Sequence, residues 1–94
     1  MQEAKIEKYF RTNAKSHGGV TFKTMSPGIG GFPDMIYIHN SQVYFIEFKQ
    51  SKGELSPKQL FIRRKIESNG GIYFVLNDIE AIDDFFKQIN YKRV

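Results

Sequence analysis

Asp34, Glu47 and Lys49 are the residues whose types and spacing could do chemistry. Glu47 and Lys49 interrupt VYFIEFK, residues 43–49, in which five of seven side chains are aromatic or aliphatic. Burying an unpaired charge is expensive, so both groups require water or a partner. Strand alternation puts Phe45, Glu47 and Lys49 on one face and Tyr44, Ile46 and Phe48 on the other. A tight turn at Asn40-Ser41, where Asn tolerates positive φ, makes the preceding strand a hairpin partner. Counting back from that turn brings Asp34 roughly opposite the Glu47 to Lys49 end. Two carboxylates and an ammonium then converge at one edge of a sheet. That set suits Mg²⁺, which takes one or two carboxylates and leaves room for water and phosphate. Such an ion stabilises charge on a phosphate and acidifies a water, and the ammonium can orient that water or neutralise charge. The competing reading is a surface ion pair between Glu47 and Lys49, common and weakly stabilising.

The elements that must position these residues follow from periodicity and punctuation. EAKIEKYFRTNAK carries apolar residues at Ala4, Ile6, Tyr9, Phe10 and Ala14, a helical pattern that stops before Gly18-Gly19. Residues 20–24 alternate as a first strand, and SPGIGGFP is loop. Residues 34–39 and 42–49 form the hairpin strands. Ser51 to Glu54 turns, and Ser56-Pro57 opens a second helix with Ser as its cap and Pro at its first position. Asn69-Gly70 stops that helix. Residues 71–76 are apolar throughout and read as a central fourth strand. A last helix from about Asp78 to Tyr91 turns Ile79, Ile82, Phe85, Phe86 and Ile89 inward. The order is α-β-β-β-α-β-α, and a strand–helix–strand unit implies a parallel pair, so the sheet is expected to be mixed.

Bulk composition agrees with one folded unit spanning 1–94. Apolar content of 40%, with nine Phe and five Tyr, excludes a disordered chain, and the absence of Cys excludes disulfides and thiolate metal sites. A net charge of +4 is compatible with a polyanionic partner. The first residues lack the apolar core of a signal peptide, and no run is long enough to span a bilayer. The expectation is a soluble, cytoplasmic protein with no membrane partner.

Pro33-Asp34 followed by Glu47-Phe48-Lys49 resembles the PD-(D/E)XK nuclease signature, whose αβββαβ core is the order read above. Gly31-Phe-Pro-Asp34, Ile46-Glu-Phe-Lys49 and Gly53-Glu-Leu-Ser-Pro-Lys-Gln59 resemble the VRR-NUC branch, with G-x-PD, [IV]-E-x-K and G-x-LS-x-x-Q. The resemblance runs from Glu3 to about Leu76. It implies an α/β, restriction-endonuclease-like fold: a four-stranded mixed sheet flanked by helices, with an added C-terminal helix. It implies a Mg²⁺- or Mn²⁺-dependent endonuclease like those of phages, working in the host cytoplasm. Holliday-junction-type branched DNA would be the substrate and a homodimer the active form. Asp34 and Glu47 would be metal ligands with the Phe48 carbonyl, Lys49 would act on water and phosphate, and Gln59 would join the phosphate or metal shell. An acidic residue of the first helix would complete the site: Glu3 by position, with Glu7 one turn later as the alternative. A flap, single-strand or restriction-type nuclease, or a non-catalytic DNA-binding module, would use the same fold.

Gln59 has a second reading, because Ser56-Pro-Lys-Gln59 is a capping box and the two roles compete for one side chain. Lys23, Lys52, Lys58, Arg63 and Arg64 are candidate phosphate contacts. The loop Gly28-Ile-Gly-Gly31 has neither a P-loop ending nor a following helix, so it reads as a flexible approach to Asp34. His17 and His39 read as surface residues, and the acidic cluster at Asp78, Glu80, Asp83 and Asp84 as the opening of a helix.

Overall fold

A computed structural model describes residues 2–25 and 30–91 of the chain. Helix α1, Glu3–Ser16, buries Ile6, Phe10 and Ala14, one residue per turn on a single stripe. It ends where Gly18, at φ +87°, lets its own amide reach Lys15 and that of Gly19 reach Ala14, the two bonds of a Schellman stop. Strands β1 (Val20–Lys23), β2 (Met35–His39) and β3 (Gln42–Phe48) run as an antiparallel meander. The β2–β3 turn holds Asn40 at φ +55° and Ser41 at φ +65°, as a two-residue type I′ hairpin requires. Helix α2, Pro57–Ser68, crosses over to β4, Ile72–Leu76, which pairs parallel with β3. Helix α3, Ile79–Tyr91, closes the fold, its first turn capped by the Asp78 carboxylate 2.7 Å from the Ala81 amide.

The sheet order is β1-β2-β3-β4. This corrects one expectation: β4 is an edge strand, not a central one. Its apolar run reflects cover on both faces rather than a neighbour on both sides. Phe74 and Leu76 join the core with Phe85 of α3, while Arg63 of α2 lies over the Tyr73 ring on the other face. A strand buried on two faces reads as continuously apolar wherever it sits in the sheet.

The core lies between the sheet and the pair α1 and α3. Phe10 sits at its centre, with ring centroids 5.5 Å from Tyr37 and Phe48, 5.6 Å from Phe85 and 5.2 Å from Phe86. Alternation therefore divides β3: Tyr44, Ile46 and Phe48 enter this core, and Glu47 faces α2. On α3, Ile82, Phe85, Phe86 and Ile89 are buried as expected, while Ile79 is half-buried.

The histidines also depart from expectation. His39 shares the core face of β2 with Met35 and Tyr37; it is buried, stacked 5.7 Å from Tyr37, with Nε2 3.0 Å from the His17 carbonyl. His17 is half-buried and stacks 4.5 Å from Phe86. Both are packing residues, because the strand phase and the end of α1 place their rings against aromatic neighbours. No helix among the described residues is long and apolar enough to cross a membrane.

Candidate active site

The β2–β3 register pairs Met35 with Ile46, which carries Asp34 to the open end of β3. There its Oδ2 accepts the Phe48 amide at 2.9 Å. The sequence-based placement of Asp34 beside Glu47 and Lys49 is what the chain adopts. Lys49 continues the ladder on the other side, its amide donating to the Leu76 carbonyl at 3.1 Å. The site thus hangs on backbone bonds to both neighbours of β3.

Glu47 is only 3% exposed. One carboxylate oxygen, Oε2, accepts from Gln59 Nε2 at 3.0 Å, while Oε1 is buried and has no hydrogen-bond partner. Burial, and after it the neighbouring Asp34 carboxylate, push the Glu47 carboxyl up to about 8; Lys49 pulls the other way and Glu3 adds to the rise. A buried acceptor without a partner costs about 1–3 kcal/mol, so this carboxylate is a local liability. Lys49 does not resolve it: among the described residues Lys49 makes no ion pair, which removes the surface-pair reading.

Gln59 resolves the competition between its two readings by using both ends of its amide. Oε1 accepts the Ser56 amide at 2.8 Å and Ser56 Oγ accepts the Gln59 amide at 3.2 Å, completing the capping box. Nε2 remains free to reach Glu47. The cap fixes the side chain that fixes the carboxylate.

Gly31 explains how loop and helix come so close. At φ +89°, a Cβ built on it would lie 2.7 Å from the Lys58 carbonyl group and 2.9 Å from the Gln59 amide nitrogen. Only glycine allows both the left-handed backbone and this approach. At Gly31 the loop is therefore a close-packed contact, not a flexible approach; Gly28 and Ile29 lie outside the described residues.

The remaining candidates separate. Glu7 is engaged by Arg11 and by Lys23 at 3.2 Å, whereas Glu3 is exposed and near enough to influence Glu47. Even so, among the described residues no three His, Asp or Glu side chains gather closely enough to hold a metal. Lys52, Lys58 and Arg64 are exposed, but Lys23 is held by Glu7, and Arg63 is held between Glu67 at 3.2 Å and the Tyr73 ring at 5.1 Å. In the acidic cluster, Asp78 caps α3 and Asp83 accepts from Tyr9 at 2.8 Å.

Sequence reasoning missed Tyr73. Its hydroxyl is buried without a partner on the Glu47 side of the sheet. Burial first, then the Glu47 carboxylate, raise its phenol above the ordinary value. Strand alternation from Glu47 through the parallel register was the signal available for it.

Donor chemistry provides the fit test for a divalent cation. Two adjacent carboxylates, one with an orphaned buried oxygen, are hard ligands lacking a positive partner. The residues present fit such an ion.

The fold is a four-stranded mixed sheet with helices on both faces, and Asp34, Glu47 and Lys49 meet at one end of it. A solved structure described as a VRR_NUC domain superposes with a TM-score of 0.85 at 23% identity, covering 90% of this chain and 94% of that one. A protein described as "Putative nuclease p44", from Acyrthosiphon pisum secondary endosymbiont phage 1, is 30% identical over 85 residues, covering 87% of this chain and 91% of its own length. No protein-family model matches the chain. The chain belongs to the family of that phage protein and has the fold of the VRR_NUC domain.

Proposed function

We propose that the protein is a Mg²⁺- or Mn²⁺-dependent endonuclease that hydrolyses DNA phosphodiesters at branched structures. The observation that carries the reading is the buried Glu47 carboxylate, one oxygen without a partner, set beside Asp34. Asp34, Glu47 and the Phe48 carbonyl would hold the ion. A residue's N–H and C=O point to the same side of a strand, and the Phe48 amide points to Asp34, so its carbonyl is directed to that side. The ion, when bound, supplies charge neutralisation at the phosphate and a lowered pKa for the attacking water.

The chain's own residues supply the rest. Lys49 carries an ammonium without an ion-pair partner among the described residues, free to orient the water and offset charge growing on the phosphate. Gln59 holds Glu47 in one rotamer through Oε2, leaving Oε1 to face the ion. Lys52, Lys58 and Arg64 are the cations disposed to meet the DNA backbone. Branched DNA and a homodimer are the substrate and assembly that the family resemblance supports. A further support for a second copy is the exposed apolar row Val20, Ile38 and Val43, in register across β1, β2 and β3, with Phe22 beside it.

Incubation with a labelled four-way junction tests the reading. Cleavage that needs Mg²⁺ or Mn²⁺ and disappears in Asp34→Ala and Lys49→Ala supports it, and tight binding without cutting under either metal overturns it.

A further inference from the structure

Among the described residues two buried side-chain polar atoms have no hydrogen-bond partner, Glu47 Oε1 and the Tyr73 hydroxyl. They occur together. The parallel register pairs Phe45 with Tyr73 and Glu47 with Val75, so Glu47 and Tyr73 are diagonal neighbours on the α2 face of adjacent strands. The two atoms are complementary in the ionised form a bound cation requires: a carboxylate oxygen only accepts, and a phenol can donate. Helix α2 treats them as a unit. Gln59 reaches Glu47, and Arg63, one turn further along the same helix face, lies 5.1 Å over the Tyr73 ring. Arg63 is in turn held by Glu67 at 3.2 Å, so the ring is clamped from above. Tyr73 is 5% exposed, which removes the ordinary explanation that its hydroxyl hydrogen-bonds to bulk solvent.

We propose that Tyr73 is a positioning residue of the metal site, its hydroxyl donating through one water to Glu47 Oε1 and fixing that oxygen for the divalent cation. This rests on the metal-dependent reading above. The role is that of the outer partners that orient metal ligands, whose loss typically weakens metal binding about 10–100-fold. The aromatic ring supplies the packing and the Arg63 contact, so the hydroxyl is the part left for the site.

Tyr73→Phe isolates it, keeping the ring while removing the oxygen. The test is calorimetric titration of metal-free wild type and Tyr73→Phe with Mn²⁺, alongside thermal melts of both. The expected result is a Mn²⁺ dissociation constant raised at least about 10-fold with a melting temperature close to wild type. A variant that binds Mn²⁺ as wild type does overturns the proposal, and so does one melting more than about 5 °C lower, because the hydroxyl would then serve the fold. Wild type that fails to bind Mn²⁺ overturns the metal-dependent reading itself, a separable outcome.

Discussion

Glu47 is the shifted group whose carboxyl reaches the neutral range. Its carboxyl is raised to about 8 in the fold, against roughly 4.3 in an unfolded chain. Between those values the native state binds the extra proton, so metal-free stability is greatest below the unfolded value and falls as pH rises. The slope approaches about 1.4 kcal/mol per pH unit and flattens above the folded value. Melting temperatures of metal-free protein should therefore drop from about pH 5 to about pH 8, and Mg²⁺ or Mn²⁺ should restore them at the alkaline end. Glu47→Gln should remove most of that slope; an unchanged slope in this variant would assign the pH dependence elsewhere. Gln59→Ala should cost about 1 kcal/mol through the lost cap and also depress cleavage, whereas a purely capping Gln59 would affect stability alone. Asp34, Glu47 and Lys49 were legible because alternation and a tight hairpin fix their side and register. Tyr73 was not, since an apolar run hides which hydroxyl lacks a partner, and His39 looked superficial because its polar type outweighed an alternation that already set it on the face of Met35 and Tyr37, away from Asp34.

At the scale of elements, the site is assembled where the 31–34 loop meets the first turn of α2. Gly31→Ala should push that loop off the Lys58–Gln59 backbone, since the added Cβ would lie 2.7 Å from Lys58. The expected outcome is a loss of about 1–2 kcal/mol and at least about a tenfold fall in cleavage rate, as misplaced catalytic groups produce. Wild-type activity in that variant would show that the close approach is dispensable. Phe48 joins the two halves of the design, its amide on Asp34 and its ring 5.5 Å from Phe10. Phe48→Ala should lower stability by about 3–5 kcal/mol, read by urea denaturation. Element order and the mixed pairing could be read from periodicity and stop signals such as Asn69-Gly70. The place of β4 could not, because helices above and below an edge strand imprint the same apolar run as a central position.

For the whole molecule, a mixed sheet keeps two sides separate: an aromatic core against α1 and α3, and a polar site under α2. Burying a charge in the aromatic core would be costly, and the carboxylates of the candidate site occupy the face where α2 buries none of its own residues. Binding through Lys52, Lys58 and Arg64 should weaken steeply with salt, by counterion release, whatever DNA structure is offered. The metal-dependent role of Glu47 is tested most directly by cleavage of a labelled four-way junction by wild type and Glu47→Gln, with and without Mn²⁺. Only wild type with metal should cut, while Glu47→Gln stays folded, binds the junction and leaves it intact. Metal-independent cutting, or cutting by Glu47→Gln at the wild-type rate, would contradict that role.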